Sequence, residues 1–187
     1  MSPIVLTLPG WQNSGPEHWQ SLWEQQFGDL RVEQHDWMRP LRGDWIARLD
    51  EVIQTQPAKR EIYLAAHSLG CIQVAAWAGH SRHTARVQGA LLVAPGDVER
   101  DDIRPMLSSW SPIPLLRPLP FASLLLGSHD DPYCSFERAQ QFAAAWGSTF
   151  MDMGNAGHLN AASGLGDWPE GRALLLDLMR TRTQTTW

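Results

Sequence analysis

The chain has 187 residues, 43% hydrophobic and 19% charged, with a formal net charge of −5. This size suits a single domain, 1–187, with a substantial core, and the composition is that of a globular chain rather than a disordered one. Lys59 is the only lysine and the arginines form no cluster, which argues against nucleic acid as a partner.

The chain enters an apolar strand at Ile4-Val5-Leu6-Thr7-Leu8 with no basic leader before it, and Pro9-Gly10 cuts that strand off. Ser14 and Glu17 have capping-box spacing, with Pro16 suited to a first turn, so a helix is expected there, carrying Trp19, Leu22, Trp23 and Phe27 on one face up to Gly28. Residues 31–36 read as a weaker strand. Asp44 is expected to cap a second helix with Trp45, Leu49, Val52 and Ile53 at helical spacing, ending before Pro57. Ile62 to Ala66 is a buried strand, followed by helix to about Gly79. Val87 to Ala94 is the next strand, closed by Pro95-Gly96.

From Asp97 to Pro120, prolines at 105, 112, 114, 118 and 120 break any long helix, leaving room for a short one over Asp101 to Leu107. This is the longest irregular connection, a length that often marks a lid or binding loop. Phe121 to Leu126 is a fifth strand, a helix runs from about Ser135 with Phe136, Ala139, Ala143 and Trp146 inward, and Ser148 to Asp152 is a sixth strand. A last helix spans about Glu170 to Arg180, and residues 181–187 are expected to form a flexible tail. Strand and helix thus alternate about six times. The fold class expected is a three-layer α/β/α sandwich with about six mostly parallel strands. No apolar run approaches the roughly 18 residues of a membrane span, and with only Cys71 and Cys134 no disulfide framework is expected; a cytoplasmic, membrane-free setting follows.

Ser68 sits where the third strand must turn into its helix, with small residues two before (Ala66) and two after (Gly70). That is the pattern of a sharp strand-to-helix turn that exposes a nucleophilic hydroxyl, although a serine there can also be a plain helix cap. Ligand crevices in such sheets lie outside the carboxyl ends of the strands. Gly127-Ser128-His129-Asp130-Asp131-Pro132 follows the fifth strand and Gly157-His158-Leu159-Asn160 the sixth, so the order is Ser, Asp, His.

Serine needs a base to take its proton, and an imidazole keeps the right tautomer when a carboxylate holds its other nitrogen. His158 fits the base. Asp131 fits the acid, because Pro132 holds its backbone extended, with Asp130 as the alternative; in loops both residue types also serve ordinary turn chemistry. The amides of Leu69 and Trp11 are candidate oxyanion donors, unless Gly10 is simply a turn glycine. Trp11 and Trp110, in loops near the crevice, are candidates to line an apolar substrate pocket, whereas Trp19, Trp23, Trp77 and Trp146 lie on apolar helical faces. His80 with His83, and His129 beside two aspartates, lack a recognisable set of further ligands, so no metal is expected. No glycine-rich nucleotide motif is present, and no cofactor is expected.

Leu8-Pro9-Gly10-Trp11-Gln12-Asn13-Ser14-Gly15-Pro16-Glu17-His18-Trp19-Gln20, Ala66-His67-Ser68-Leu69-Gly70, the Gly127 to Pro132 stretch, and Gly157 to Asn160 followed by Gly164 to Gly171 resemble the small serine hydrolases of the retinoblastoma-binding protein 9 and YdeN type, in the α/β-hydrolase superfamily. The resemblance spans nearly the whole chain and departs from the usual glycine at Ala66. It implies a compact fold without a large cap, a triad of Ser68, Asp131 and His158, and hydrolase activity on natural substrates mostly undefined. The activity expected is metal-independent hydrolysis of a carboxylic ester, or an amide or thioester, through an acyl-Ser68 intermediate. Some members of that family bind partner proteins. The competing expectation is therefore a protein-binding module on an idle hydrolase scaffold, contacting its partner through a loop such as 97–120.

Overall fold

Strands that are apolar at nearly every position need cover on both faces. In the computed structural model, which describes residues 2–183, β1 (Ile4–Leu8), β2 (Leu30–Arg31), β3 (Ile62–His67), β4 (Val87–Val93), β5 (Ala122–Gly127) and β6 (Thr149–Asp152) form one sheet. Its order is β2-β1-β3-β4-β5-β6, and every pairing is parallel. The helices are α1 (Trp19–Phe27), α2 (Arg42–Thr55), α3 (Leu69–Ala78), α4 (Phe136–Trp146) and α5 (Pro169–Thr183).

Successive strand residues feed opposite layers. Leu6, Leu8, Leu64 and Ala66 pack with Trp45 and Leu49 of α2, Ile72 and Trp77 of α3 and Phe142 and Trp146 of α4. Val5, Tyr63, Ala65, Leu91 and Val93 pack with Trp19 and Trp23 of α1 and Leu175 of α5. The result is the three-layer sandwich expected. Buried indoles keep their N–H groups bonded: Trp23 Nε1 donates to the Asp167 carbonyl at 2.7 Å, and Trp146 Nε1 to that of Pro114 at 2.8 Å. No helix among the described residues is long and apolar enough to cross a membrane.

Local patterns lost to tertiary demands in several places. The first helix starts at Trp19, capped by the His18 ring, and not at Ser14. Gln20 is fully buried, and its amide nitrogen donates to the Ala65 carbonyl at 2.9 Å; the Ser14 hydroxyl donates to its oxygen at 2.7 Å instead of capping the helix. Asp44 lies inside the first turn of α2, whose cap position is Leu41. Only Leu30 and Arg31 pair with β1, so the second strand is two residues long. Residues 101–106 form turns rather than a helix, followed by a single 3₁₀ turn at Ser108–Trp110. Thr181 to Thr183 continue α5; the rest of the expected tail, 184–187, lies outside the described residues.

The sheet order places the site. From β1 the chain moves outward to β2, then returns past β1 to β3 and continues the other way. The direction reverses between β1 and β3, and there the loops leaving their carboxyl ends diverge and open a crevice.

Candidate active site

Ser68 joins β3 to α3 with φ 55° and ψ −121°, a conformation side chains rarely adopt. Its neighbours hold it there. Its amide donates to the Val93 carbonyl at 3.0 Å, and its carbonyl accepts from Cys71 N at 3.0 Å. A β-carbon on Gly70 would lie 2.2 Å from the Leu8 carbonyl oxygen, so the turn can approach β1 only with glycine at that position. The Ser68 hydroxyl makes no capping bond to α3.

That hydroxyl faces the loop after β6. His158 Nε2 lies 3.0 Å from Ser68 Oγ, and His158 Nδ1 lies 2.9 Å from each carboxylate oxygen of Asp131. A carboxylate has no hydrogen to give, so Nδ1 carries the ring proton and Nε2 presents its lone pair to the serine. The ring and the carboxylate are 7% and 3% exposed, which keeps water from competing for this contact. Asp130, the alternative acid, points elsewhere: its Oδ1 accepts from Ser128 Oγ and Gly157 N, both at 2.8 Å. These bonds, the Gly157 amide foremost, hold its carboxyl below the usual range and brace the acid loop against the histidine loop.

Two donors on the α1 side of the sheet grip the histidine loop by consecutive carbonyls. His67 Nε2 donates to His158 O at 2.8 Å and Trp19 Nε1 to Leu159 O at 3.0 Å. The His18, His67 and His158 rings succeed one another edge to face, with centroids 4.7 Å apart at each step. Burial, then the charge of His158 and of His18, pushes His67 well below the ordinary imidazole range. Burial first, then Arg31 and His158, lowers His18 to about 3. Both rings are therefore neutral. In His18, Nδ1 accepts from the Gln20 amide at 3.2 Å, which puts its proton on Nε2.

The loop after β1 forms the facing wall. Gly10 presses on the serine: a β-carbon there would lie 2.8 Å from Ser68 Cβ. Arg31 fixes the loop from β2, its guanidinium donating to Asn13 Oδ1 at 3.0 Å, to Ser14 O at 3.1 Å and to Ser21 Oγ at 2.6 Å while Nε pairs with Glu24 at 2.9 Å. The Trp11 ring lines the crevice, and its Nε1 donates to Met38 O at 3.0 Å. Leu69, whose amide directly follows the serine, also lines it.

The crevice has a volume of about 470 Å³, and Val98, Ile103, Met106 and Leu107 form its apolar side. Trp110 does not line it. Contrary to the sequence expectation, it is fully buried under α2, its ring 5.6 Å from that of Trp45 and its Nε1 donating to Pro40 O at 2.9 Å. The loop it belongs to is turned inward by this indole, and residues 103–107 face the crevice in its place.

His129 pairs with Asp152 at 3.0 Å, and His83 with Asp50 at 3.1 Å. No cluster of three or more His, Cys, Asp or Glu able to hold a metal occurs among the described residues. His18, His67, Gly96 and Tyr133 also line the crevice, and sequence reasoning missed them. The first two stood inside the motifs quoted, one of them beside the serine; Gly96 and Tyr133 carry no local signal.

A sequence model described as serine hydrolase matches residues 5–177. No curated protein matched in the search. Among solved structures, a protein described as a YdeN-like hydrolase from Pectobacterium atrosepticum is 30% identical, with a TM-score of 0.82 over 96% of this chain and 92% of its own. The ydeN gene product of Bacillus subtilis is 18% identical, with a TM-score of 0.75 over 95% of this chain and 99% of its own. Est1E of Butyrivibrio proteoclasticus, with ferulic acid bound, is 11% identical with a TM-score of 0.71, covering 98% of this chain and 90% of its own, and is alike in fold alone. The chain belongs to the serine hydrolase family, as a YdeN-like hydrolase with the α/β-hydrolase fold.

Proposed function

We propose that the protein hydrolyses carboxylic esters through an acyl-Ser68 intermediate, with no metal. The observation that carries this reading is the unbroken relay from Asp131 through His158 to Ser68 Oγ, with contacts of 2.9 and 3.0 Å. In the first half-reaction Ser68 Oγ bonds to the ester carbonyl carbon as its proton passes to His158 Nε2. Asp131 remains a carboxylate and stabilises the imidazolium. The carbonyl oxygen becomes an oxyanion, which the amides of Leu69 and Trp11 are assigned to receive.

Collapse breaks the bond to the leaving alcohol, which takes the proton from His158. A water then gives its proton to the same nitrogen and attacks the acyl-serine. The carboxylic acid leaves as Ser68 regains its hydrogen. Burial of the ring and the acid supports this reading, because electrostatic contacts there are little screened by solvent. The test is labelling by a fluorophosphonate probe. Wild type is expected to be modified at Ser68 and to lose ester hydrolysis in step, while folded Ser68→Ala does neither. A folded wild type that resists the probe and hydrolyses no ester would overturn the proposal.

A further inference from the structure

The reading above leaves open what acyl group the crevice takes, and the segment between Gly96 and Leu107 bears on it. We infer that this segment selects an uncharged, apolar acyl group, and that bare Gly96 sets how much bulk that group can carry next to the reacting carbonyl. The inference rests on acyl transfer at Ser68.

Three observations support it. The first is space. Apart from its chain neighbours, the atoms nearest a β-carbon on Gly96 would be Ser68 Oγ at 3.3 Å and Leu69 N at 3.9 Å. That spot lies beside the attacking oxygen. The leaving group must lie towards His158 Nε2 to collect its proton, and the oxyanion towards the amides of Leu69 and Trp11. The acyl substituent therefore takes the remaining direction, past Gly96 towards Val98, Ile103, Met106 and Leu107. Gly96 does not have a left-handed φ, so an alanine there strains no backbone, but its methyl presses on Ser68 Oγ, which must give by a few tenths of an ångström; the test therefore reads a ratio of substrates and not the rate itself.

The second is polarity. Beyond Gly96 the same segment contributes Val98, Ile103, Met106 and Leu107 to the crevice. The third is charge. Asp97 and Asp102 line the crevice, and no lysine or arginine does. Of the arginines near that wall, Arg138 holds Asp97 at 3.5 Å and Glu99 at 2.5 Å, and Arg100 holds Asp102 at 2.7 Å and donates to the Pro132 carbonyl, while Arg104 is exposed and outside the crevice lining. An acyl group bearing a carboxylate would lose hydration and find no cation in the crevice lining to replace it.

The experiment compares p-nitrophenyl esters whose acyl groups differ in a terminal charge or in a branch, each corrected for its uncatalysed hydrolysis. In wild type, kcat/KM for the butanoate is expected to exceed that for the hemisuccinate at least ~10-fold, and Asp102→Asn to narrow the gap, more so at low salt. In Gly96→Ala, checked for folding by its melting curve, the ratio of 2-methylbutanoate to butanoate is expected to fall at least ~10-fold, about the discrimination a methylene or two provides in a tight pocket. Equal use of the hemisuccinate, or an unchanged branched-to-straight ratio in folded Gly96→Ala, overturns the inference.

A second readout needs no turnover. In ligand-observed NMR, Ser68→Ala is expected to bind butanamide in preference to succinamate. If wild type hydrolyses no ester yet this preference holds, the acyl-transfer reading fails while the selecting wall stands. If succinamate binds equally well, the wall itself is refuted.

Discussion

The two sides of the crevice are built differently. The side that holds Ser68, His158 and Asp131 stands on strand ends, buries the His158 ring and the Asp131 carboxylate, and is gripped by buried donors, His67 on His158 O and Trp19 on Leu159 O. The opposite side, residues 96–107, hangs off β4 as turns, with Met106 55% exposed and the Asp102 side chain 63% exposed, and is tied down by ion pairs near the surface. Positions fixed by core packing can hold a proton relay to within tenths of an ångström. Turns tied by surface ion pairs can vary in shape and charge without disturbing that relay, which suits them to choosing substrates.

Substitutions break this contrast in graded steps. On the rigid side, Ser68→Ala is expected to cut ester hydrolysis at least ~10⁴-fold with little change in melting temperature. Asp131→Asn should cost a comparable ~10⁴-fold in kcat, because an amide in place of the carboxylate favours the wrong ring tautomer. Asp130→Asn, which leaves the His158 contact intact, should cost less than ~10-fold. Equal losses for the two aspartate variants in steady-state assays would contradict the assigned roles.

Gly70→Ala forces a methyl to within 2.2 Å of the Leu8 carbonyl oxygen, so a loss of about 3 kcal/mol in urea unfolding, or failure to fold, is expected. Trp19→Phe leaves the Leu159 carbonyl without its buried donor, and about 1–3 kcal/mol of stability should go with it. On the loop side, Arg100→Ala removes an ion pair whose arginine is 36% exposed, and should change stability by no more than about 1 kcal/mol.

The buried imidazoles add a dependence on pH. His18 is held at about 3 against an ordinary 6.5, so below 6.5 the unfolded chain takes up a proton that the folded chain refuses. Folding stability should therefore fall as pH drops from about 6.5 towards 3, and His67, lowered in the same direction, should add to the fall. Melting curves of His18→Asn across that range are expected to be flatter than those of wild type. A wild-type melting temperature that rose on acidification would contradict the neutral assignment.

The rigid side was also the legible one. Continuous apolar runs such as Leu64-Ala65-Ala66 have one plausible fate, and a serine between small residues at the end of such a run suggests a sharp turn, with the loops after two later strands needed to choose that over a helix cap. Between Asp130 and Asp131 the sequence only leaned, through Pro132 and the family resemblance, and the contacts to His158 Nδ1 are what separate them. What could not be read depended on partners far along the chain. Ser14 has the spacing of a cap, yet a buried Gln20 claims its hydroxyl. Trp110 sits in a proline-rich loop and looks like a wall of the crevice, but Pro40 and Trp45, some seventy and sixty-five positions earlier, draw it into the core. Gly96 shows its meaning only once Ser68 Oγ stands beside it.

The relay itself is tested most directly by trapping the intermediate. Acid-quenching wild type within its first turnovers of p-nitrophenyl butanoate and mapping peptides by mass spectrometry should show a butanoyl group on Ser68, accumulating in His158→Gln no faster than background acylation. An acyl group found on another residue, or ester turnover that persists undiminished in folded Ser68→Ala, would contradict the account.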